Sequence, residues 1–326
     1  GGELRDMAYD VAVGSVDMLL DVTNSEDGSH LTFSGQLQAL ALNAQGTVPL
    51  SASTSPDTAL MDGLAIAGGY TSGPGQYLFE FTDAAGLTNG TVATGGSTVN
   101  FDLSRASMGY DATARGIQVN ASGASMPFPI TASLAEYGVK ALIPAQRSET
   151  PVPWTLGVNL TDLVLNEEVW ALFDPQALLA RDPATLIADL SGTATPFFDL
   201  FDPAQQAAME TAGAPGQINS VSIDDLTLSF GGAQVTGTGS FTLDNADTTT
   251  FPGIPKPTGV AEFQLNGING LIDNLATLGL LPQEQVMGAR MGLGLLTVPA
   301  GGDDQLTSRI EATADGQLLA NGQRLQ

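Results

Sequence analysis

His30 is the only histidine in the chain, so it is the only imidazole available for acid–base chemistry. It follows the Asp27-Gly28 turn, and a hydrolytic triad would need a serine and an acid to converge on that exposed spot. No Gly-x-Ser-x-Gly nucleophile elbow occurs. Carboxylates are plentiful, and Asp224-Asp225, Asp303-Asp304 and Asp244-Asn245-Ala246-Asp247 are the densest clusters. Hard oxygen ligands of this kind suit Ca²⁺. The spacings match neither an EF-hand loop nor a nonapeptide calcium repeat, and turn-capping by Asx side chains explains them as well. Glycine pairs such as Gly231-Gly232 lead into strands rather than helices. They read as hairpin turns and not as phosphate cradles, which need a helix N-terminus next. No catalytic set, metal site or cofactor site is expected.

Composition narrows the possible partners. The net charge is −25, with ten basic residues in 326. A phosphate backbone would be repelled, so nucleic acid is excluded as a partner, and docking by charge on an anionic membrane is disfavoured. There is no cysteine, which removes disulfides, thiol chemistry and cysteine-type zinc sites. No run approaches the roughly 20 apolar residues of a membrane-spanning helix. The chain opens at Gly1-Gly2, without an initiating Met, as an exported protein would after removal of a signal peptide.

The elements that must position any site are mostly strands. Val16, Met18, Leu20 and Val22 alternate with Asp17, Leu19, Asp21 and Thr23, close to period two, and Leu31, Phe33 and Leu37 resume the alternation after the turn at residues 24–28. Leu40 and Leu42 shift phase by one, which predicts a bulge near Gln38-Ala39. Alternating runs recur through Tyr77, Phe79 and Phe81, through Val99, Phe101 and Leu103, at Met108 and Tyr110, and at Ile117 and Val119. Turns are expected at Ser72 to Gly75, Asp83 to Gly86, Gly95-Gly96 and Arg115-Gly116. This spacing predicts an antiparallel meander over residues 1–150.

Residues 151–217 read as a mixed connector. Asn166 is placed to cap a helix from Glu167 to Phe173, and Asp174-Pro175 and Asp202-Pro203 each read as a helix start. Residues 218–326 read as a second β region, with a bulge at Asp224-Asp225 and a helix pair. Ile268, Leu271, Ile272, Leu275 and Leu278 form one apolar stripe, ended by Gly279, and Pro282 starts the next helix. Asp315-Gly316 predicts a hairpin.

The words Glu168-Val169-Trp170-Ala171-Leu172-Phe173-Asp174-Pro175 and Leu179-Ala180-Arg181-Asp182-Pro183-Ala184-Thr185-Leu186, then Asp189-Leu190-Ser191-Gly192, resemble the DUF2125 family of alphaproteobacterial envelope proteins. The ending Asp315-Gly316-Gln317-Leu318-Leu319 fits as well. Ala180 departs from the Pro expected before Arg-Asp-Pro. More distantly, the strand, helix-pair and hairpin ending is similar to YdgA-type (DUF945) and AsmA-like periplasmic proteins. That likeness implies a mainly β fold: a long curved antiparallel sheet with a few short helices packed on one face, able to hold acyl chains.

The expected function is therefore a non-enzymatic periplasmic protein that binds a hydrophobic ligand, such as a lipid, in a β-groove. Phe79, Phe101, Trp154, Trp170, Phe241 and Ile310 are the expected ligand contacts. Core packing is the competing reading for the two tryptophans, and a salt bridge the favoured one for Arg181. The alternatives are a structural protein that binds another envelope protein, and a hydrolase of envelope polymers with two carboxylates in a cleft.

Overall fold

A computed structural model describes residues 3–325, which form one antiparallel sheet of 17 strands with four short α-helices. The first nine strands are β1 (Leu4–Thr23), β2 (His30–Pro49), β3 (Ala65–Ser72), β4 (Gly75–Asp83), β5 (Gly86–Thr94), β6 (Gly96–Leu103), β7 (Ser107–Gly123), β8 (Ile130–Pro144) and β9 (Val152–Leu165). After helix α1 (Glu167–Trp170) comes β10 (Ala184–Pro196), then α2 (Gln206–Thr211), β11 (Gly216–Phe230), β12 (Ala233–Asp244) and β13 (Lys256–Asn266). Helices α3 (Ile268–Thr277) and α4 (Gln283–Leu296) precede β14 (Val298–Pro299), β15 (Gln305–Ala312), β16 (Leu318–Ala320) and β17 (Gln323–Arg324).

Pairing follows chain order closely, as a meander requires. Strand β9 pairs with β8 on one side and β10 on the other, so the sheet runs unbroken from the first region through the connector into the last. Strands β3 and β4 share one row, and β5 and β6 share the next, both spliced between β2 and β7. At about 4.8 Å per row the sheet is roughly 60 Å wide.

Of the five turns expected in the first region, residues 24–28 and Asp83 to Gly86 reverse the chain, joining β1 to β2 and β4 to β5; the other three do not. At Gly73-Pro74, Gly95 and Gly116 the chain continues in the same direction through a crease. That is why Met108 to Val119 lies in one long strand, β7, rather than two. The crease continues through neighbouring rows. Gly14 lies opposite Ala39, which has φ 49°; Gly116 has φ 60°, and Asp162 in β9 has φ 56°. Gly73 N–H and Gln38 C=O bond across it, as do Gln38 N–H and Pro74 C=O. Each crossing strand carries one left-handed or unpaired residue at the same level, so the registers on either side agree while side-chain alternation flips.

The sequence shows the same flip. Apolar residues sit at 40, 42 and 44 in β2 but at 31, 33 and 37 beyond Ala39. They sit at 108, 110 and 112 in β7 but at 117, 119 and 121 beyond Gly116. The phase shift near Gln38-Ala39 is therefore one strand's share of a crease, and it keeps most of the large apolar residues of these strands on one face.

The opposite face is polar and laced with cross-strand pairs. Asn120 donates to Thr91, Ser122 to Asn89, and Arg115 to Glu136 at 2.7 Å. Lys140 reaches Asp189 at 2.9 Å across Gly157, whose missing side chain leaves room for the pair.

The connector differs from expectation in two places. Helix α1 stops at Trp170, and Asn166 does not cap it. Asn166 instead accepts from Thr131 N–H and donates to Pro129 C=O, tying α1's start to β8. No helix starts at Asp174-Pro175, because the Asp174 carboxylate is used by a loop (below). Asp202 does behave as expected, accepting from Ala204 N–H at the start of the turn that leads into α2.

In the last region the Asp224-Asp225 bulge is present, with the register shifting between Ile223 and Leu226. Helix α3 ends before Gly279, which has φ 72°, and Gly316 has φ 78° in the hairpin between β15 and β16. The N-terminus of α3 is capped from a distance: the Asp304 carboxylate accepts from the N–H groups of Asn269 and Gly270.

Candidate apolar binding face

Little covers the apolar face. The protein exposes 18256 Å², whereas a compact monomer of 33.4 kDa would expose about 12,600 Å². Large apolar side chains stay accessible along it, among them Tyr9, Tyr70, Phe101, Tyr110, Leu156 and Ile218. Exposed apolar surface on this scale is what a ligand-binding face or an interface with another protein would present.

Two hollows indent this face along β9, β10 and β11. The first, about 460 Å³, is walled by Leu142, Trp154, Leu156, Ala194, Leu200 and Ile218. The second, about 380 Å³, is walled by Leu160, Leu186, Leu228 and Phe230, with Ile268 and Leu271 of α3 closing one side. Both fall in the size range of small-molecule pockets. Leu156 and Leu160 lie on the same strand about 13 Å apart, so the hollows are successive depressions on one strip. Neither lining contains a carboxylate or a basic residue.

Trp154 contributes the one unsatisfied group. Its ring lies over Gly192, directly across in β10, and among the described residues its indole N–H is buried without a hydrogen-bond partner. A buried unpaired donor costs about 1–3 kcal/mol.

Of the six expected contacts, five lie on this face: Phe79 in β4, Phe101 in β6, Trp154 in β9, Phe241 in β12 and Ile310 in β15. Nine rows, or roughly 43 Å, separate the first from the last, so they mark a face and not a single pocket. Of these five, only Trp154 lines either of the two hollows. The sequence reading missed Leu142, Leu200 and Ile218. Leu200 belongs to a loop whose return to the sheet no local pattern announces.

Trp170 is enclosed. It is 5% exposed, stacked on Phe230 at 5.6 Å between centroids, beside Phe173 at 5.0 Å and under the Arg181 guanidinium at 4.5 Å. Arg181 in turn reaches Asp174 at 2.5 Å and Glu167 at 3.3 Å. Asp174, fully buried, also accepts from the N–H groups of Leu178 and Leu179. Burial pushes the Asp174 carboxyl up, but the Arg181 guanidinium and these amides outweigh it and hold it below the usual carboxylate range. The cluster is a loop anchor at the edge of the second hollow.

His30 and Asp247 are occupied as well. His30 Nε2 pairs with Asp21 at 2.8 Å across β1 and β2. The Asp247 carboxylate accepts from the N–H and hydroxyl groups of both Thr249 and Thr250. These bonds, the Thr250 hydroxyl foremost, hold it far below the usual range. Among the described residues no three metal-ligating side chains cluster, and no helix is long and apolar enough to cross a membrane.

Residues 74–319 match the model of a family described as uncharacterized proteins conserved in bacteria, DUF2125. The chain belongs to the DUF2125 family. No curated protein and no solved structure matches the chain. The DUF2125 match spans β4 to β16 and so includes both hollows and the Asp174–Arg181 anchor. The family words at residues 168–192 thus correspond to that anchor and to the start of β10, including Gly192 under Trp154.

Proposed function

We propose that this DUF2125 protein works in the bacterial cell envelope as a non-enzymatic carrier. It would hold the hydrocarbon chains of a lipid along its apolar face, with the hollow at Trp154 as one seat. The observation that carries this reading is the uncovered apolar strip, indented by two uncharged hollows. Each methylene moved from water onto such a surface contributes about 0.8 kcal/mol, so an acyl chain of ordinary length gains enough to stay bound. An acidic protein would take up such a lipid through its chains rather than through an anionic headgroup.

The two tryptophans make the test direct. In Trp170→Phe, Trp154 is the sole indole. Phosphatidylcholine with brominated acyl chains is expected to quench most of its emission saturably, and unbrominated lipid is not. In Trp154→Phe, the enclosed Trp170 is expected to keep its emission with the same lipid. Unquenched Trp154 at saturating brominated lipid would contradict the reading.

A further inference from the structure

The free edge of β1 has the symmetry needed to pair with itself. Strand β1 is 20 residues long and, among the described residues, pairs only with β2, so its other edge presents backbone groups unpaired by them along its whole length. It has no proline, no lysine and no register break against β2, and its charged residues, Arg5, Asp6, Asp10, Asp17 and Asp21, are spaced along it rather than clustered.

Which groups point outward follows from two hydrogen bonds. Leu50 N–H donates to Glu3 C=O, so the residues of β1 in step with Glu3, through Val13, are bonded to β2. Ala8, Asp10 and Ala12 therefore point their backbone groups outward. Past the crease, Gln38 bonds away from β1, to Gly73 and Pro74, so the alternation flips. There Asp17, Leu19 and Asp21 point outward.

We infer that two copies of this chain join β1 to β1, antiparallel, with the twofold axis at the crease between Gly14 and Ser15. This register satisfies every constraint at once. The outward groups meet outward groups: Ala12 faces Asp17, Asp10 faces Leu19 and Ala8 faces Asp21. No two carboxylates stand directly opposite, and Leu19, 80% exposed in one copy, gains a neighbour. On the other face, Val13 meets Val16, Val11 meets Met18 and Tyr9 meets Leu20, so the apolar strips of the two copies become continuous. Because the crease of one copy meets the crease of the other, neither backbone has to adjust. A twofold joint of this kind closes at two copies, unlike head-to-tail pairing of β1 with the far edge, which would grow without end.

Sedimentation of the full chain is expected to show a dimer that strengthens with added salt, since both copies are acidic. Ala12→Pro removes only an outward N–H, so it is expected to sediment as a monomer with unchanged circular dichroism and Tm. The native chain has no cysteine, which makes disulfide mapping clean. Val13 and Val16 of opposite copies form a non-hydrogen-bonded pair with Cα atoms about 4.5 Å apart, within disulfide range; within one copy they are roughly 10 Å apart. Oxidised V13C/V16C is therefore expected to run as a covalent dimer, and V13C/V22C to remain uncrosslinked. A native chain that stays monomeric at every salt concentration would overturn the inference. So would an oligomer unaffected by Ala12→Pro, or equal cross-linking in the two cysteine variants. None of these readouts depends on lipid binding.

Discussion

Gly192→Ala is expected to destabilise the protein by at least about 2 kcal/mol, a large effect for adding one methyl group. A Cβ at this position collides with the Ser220 carbonyl oxygen in β11 and comes within 2.9 Å of Trp154 Cε2. Backbone cannot yield without opening the β10–β11 pairing, and Trp154 cannot lift without leaving the first hollow. Gly288→Ala in α4 supplies the contrast, because a Cβ there meets nothing within 4 Å. In a helix interior the same substitution is expected to stabilise by about 0.5–1 kcal/mol. Urea midpoints of the two variants should therefore move in opposite directions. If Gly192→Ala unfolds at the wild-type midpoint, the close seat of Trp154 on β10 is wrong.

Asp174→Asn is expected to lower Tm by several degrees. The carboxylate accepts from three donors: the Arg181 guanidinium and the Leu178 and Leu179 amides. An amide keeps one oxygen for them and turns an NH₂ group toward the others, leaving the partly buried guanidinium with only the exposed Glu167 as counter-charge. The Arg181 plane then loses its fixed place over Trp170, and the packing of Trp170 on Phe230 loosens beside the second hollow. The pH dependence has a definite sign. Because the Asp174 carboxyl is held below its unfolded value of about 3.9, its contribution is complete above that pH. It is lost as pH falls through the depressed native value. Wild type and Asp174→Asn should therefore differ most near neutral pH and converge in strong acid; a constant difference across pH would contradict this assignment.

Alternation of side chains made the strands legible, together with the α3–α4 pair and the Asp224-Asp225 bulge, because these patterns are local. The crease was half legible. Each phase shift could be read in its own strand. Whether Gly73-Pro74, Gly95 or Gly116 reverses the chain or only kinks it depends on which rows flank it, and that is set by pairing across many residues. Asp174 was misread for a similar reason. Asp-Pro favours a helix start locally, but Arg181 and two amides further along the chain claim the carboxylate. The five face residues Phe79, Phe101, Trp154, Phe241 and Ile310 followed from period two. Their distribution over the sheet's width, and the hollow between Trp154 and Leu200, followed only from the order of the strands.

The most direct measurement for an apolar face that carries lipid is native mass spectrometry with lipid extraction. It would use protein purified without detergent from the cells that make it. The account predicts a folded protein that retains acyl-chain lipid at a reproducible stoichiometry, with the retained amount falling when Ile218→Glu places a charge in the first hollow. Protein that is consistently free of lipid, folded, and indifferent to that substitution would contradict it.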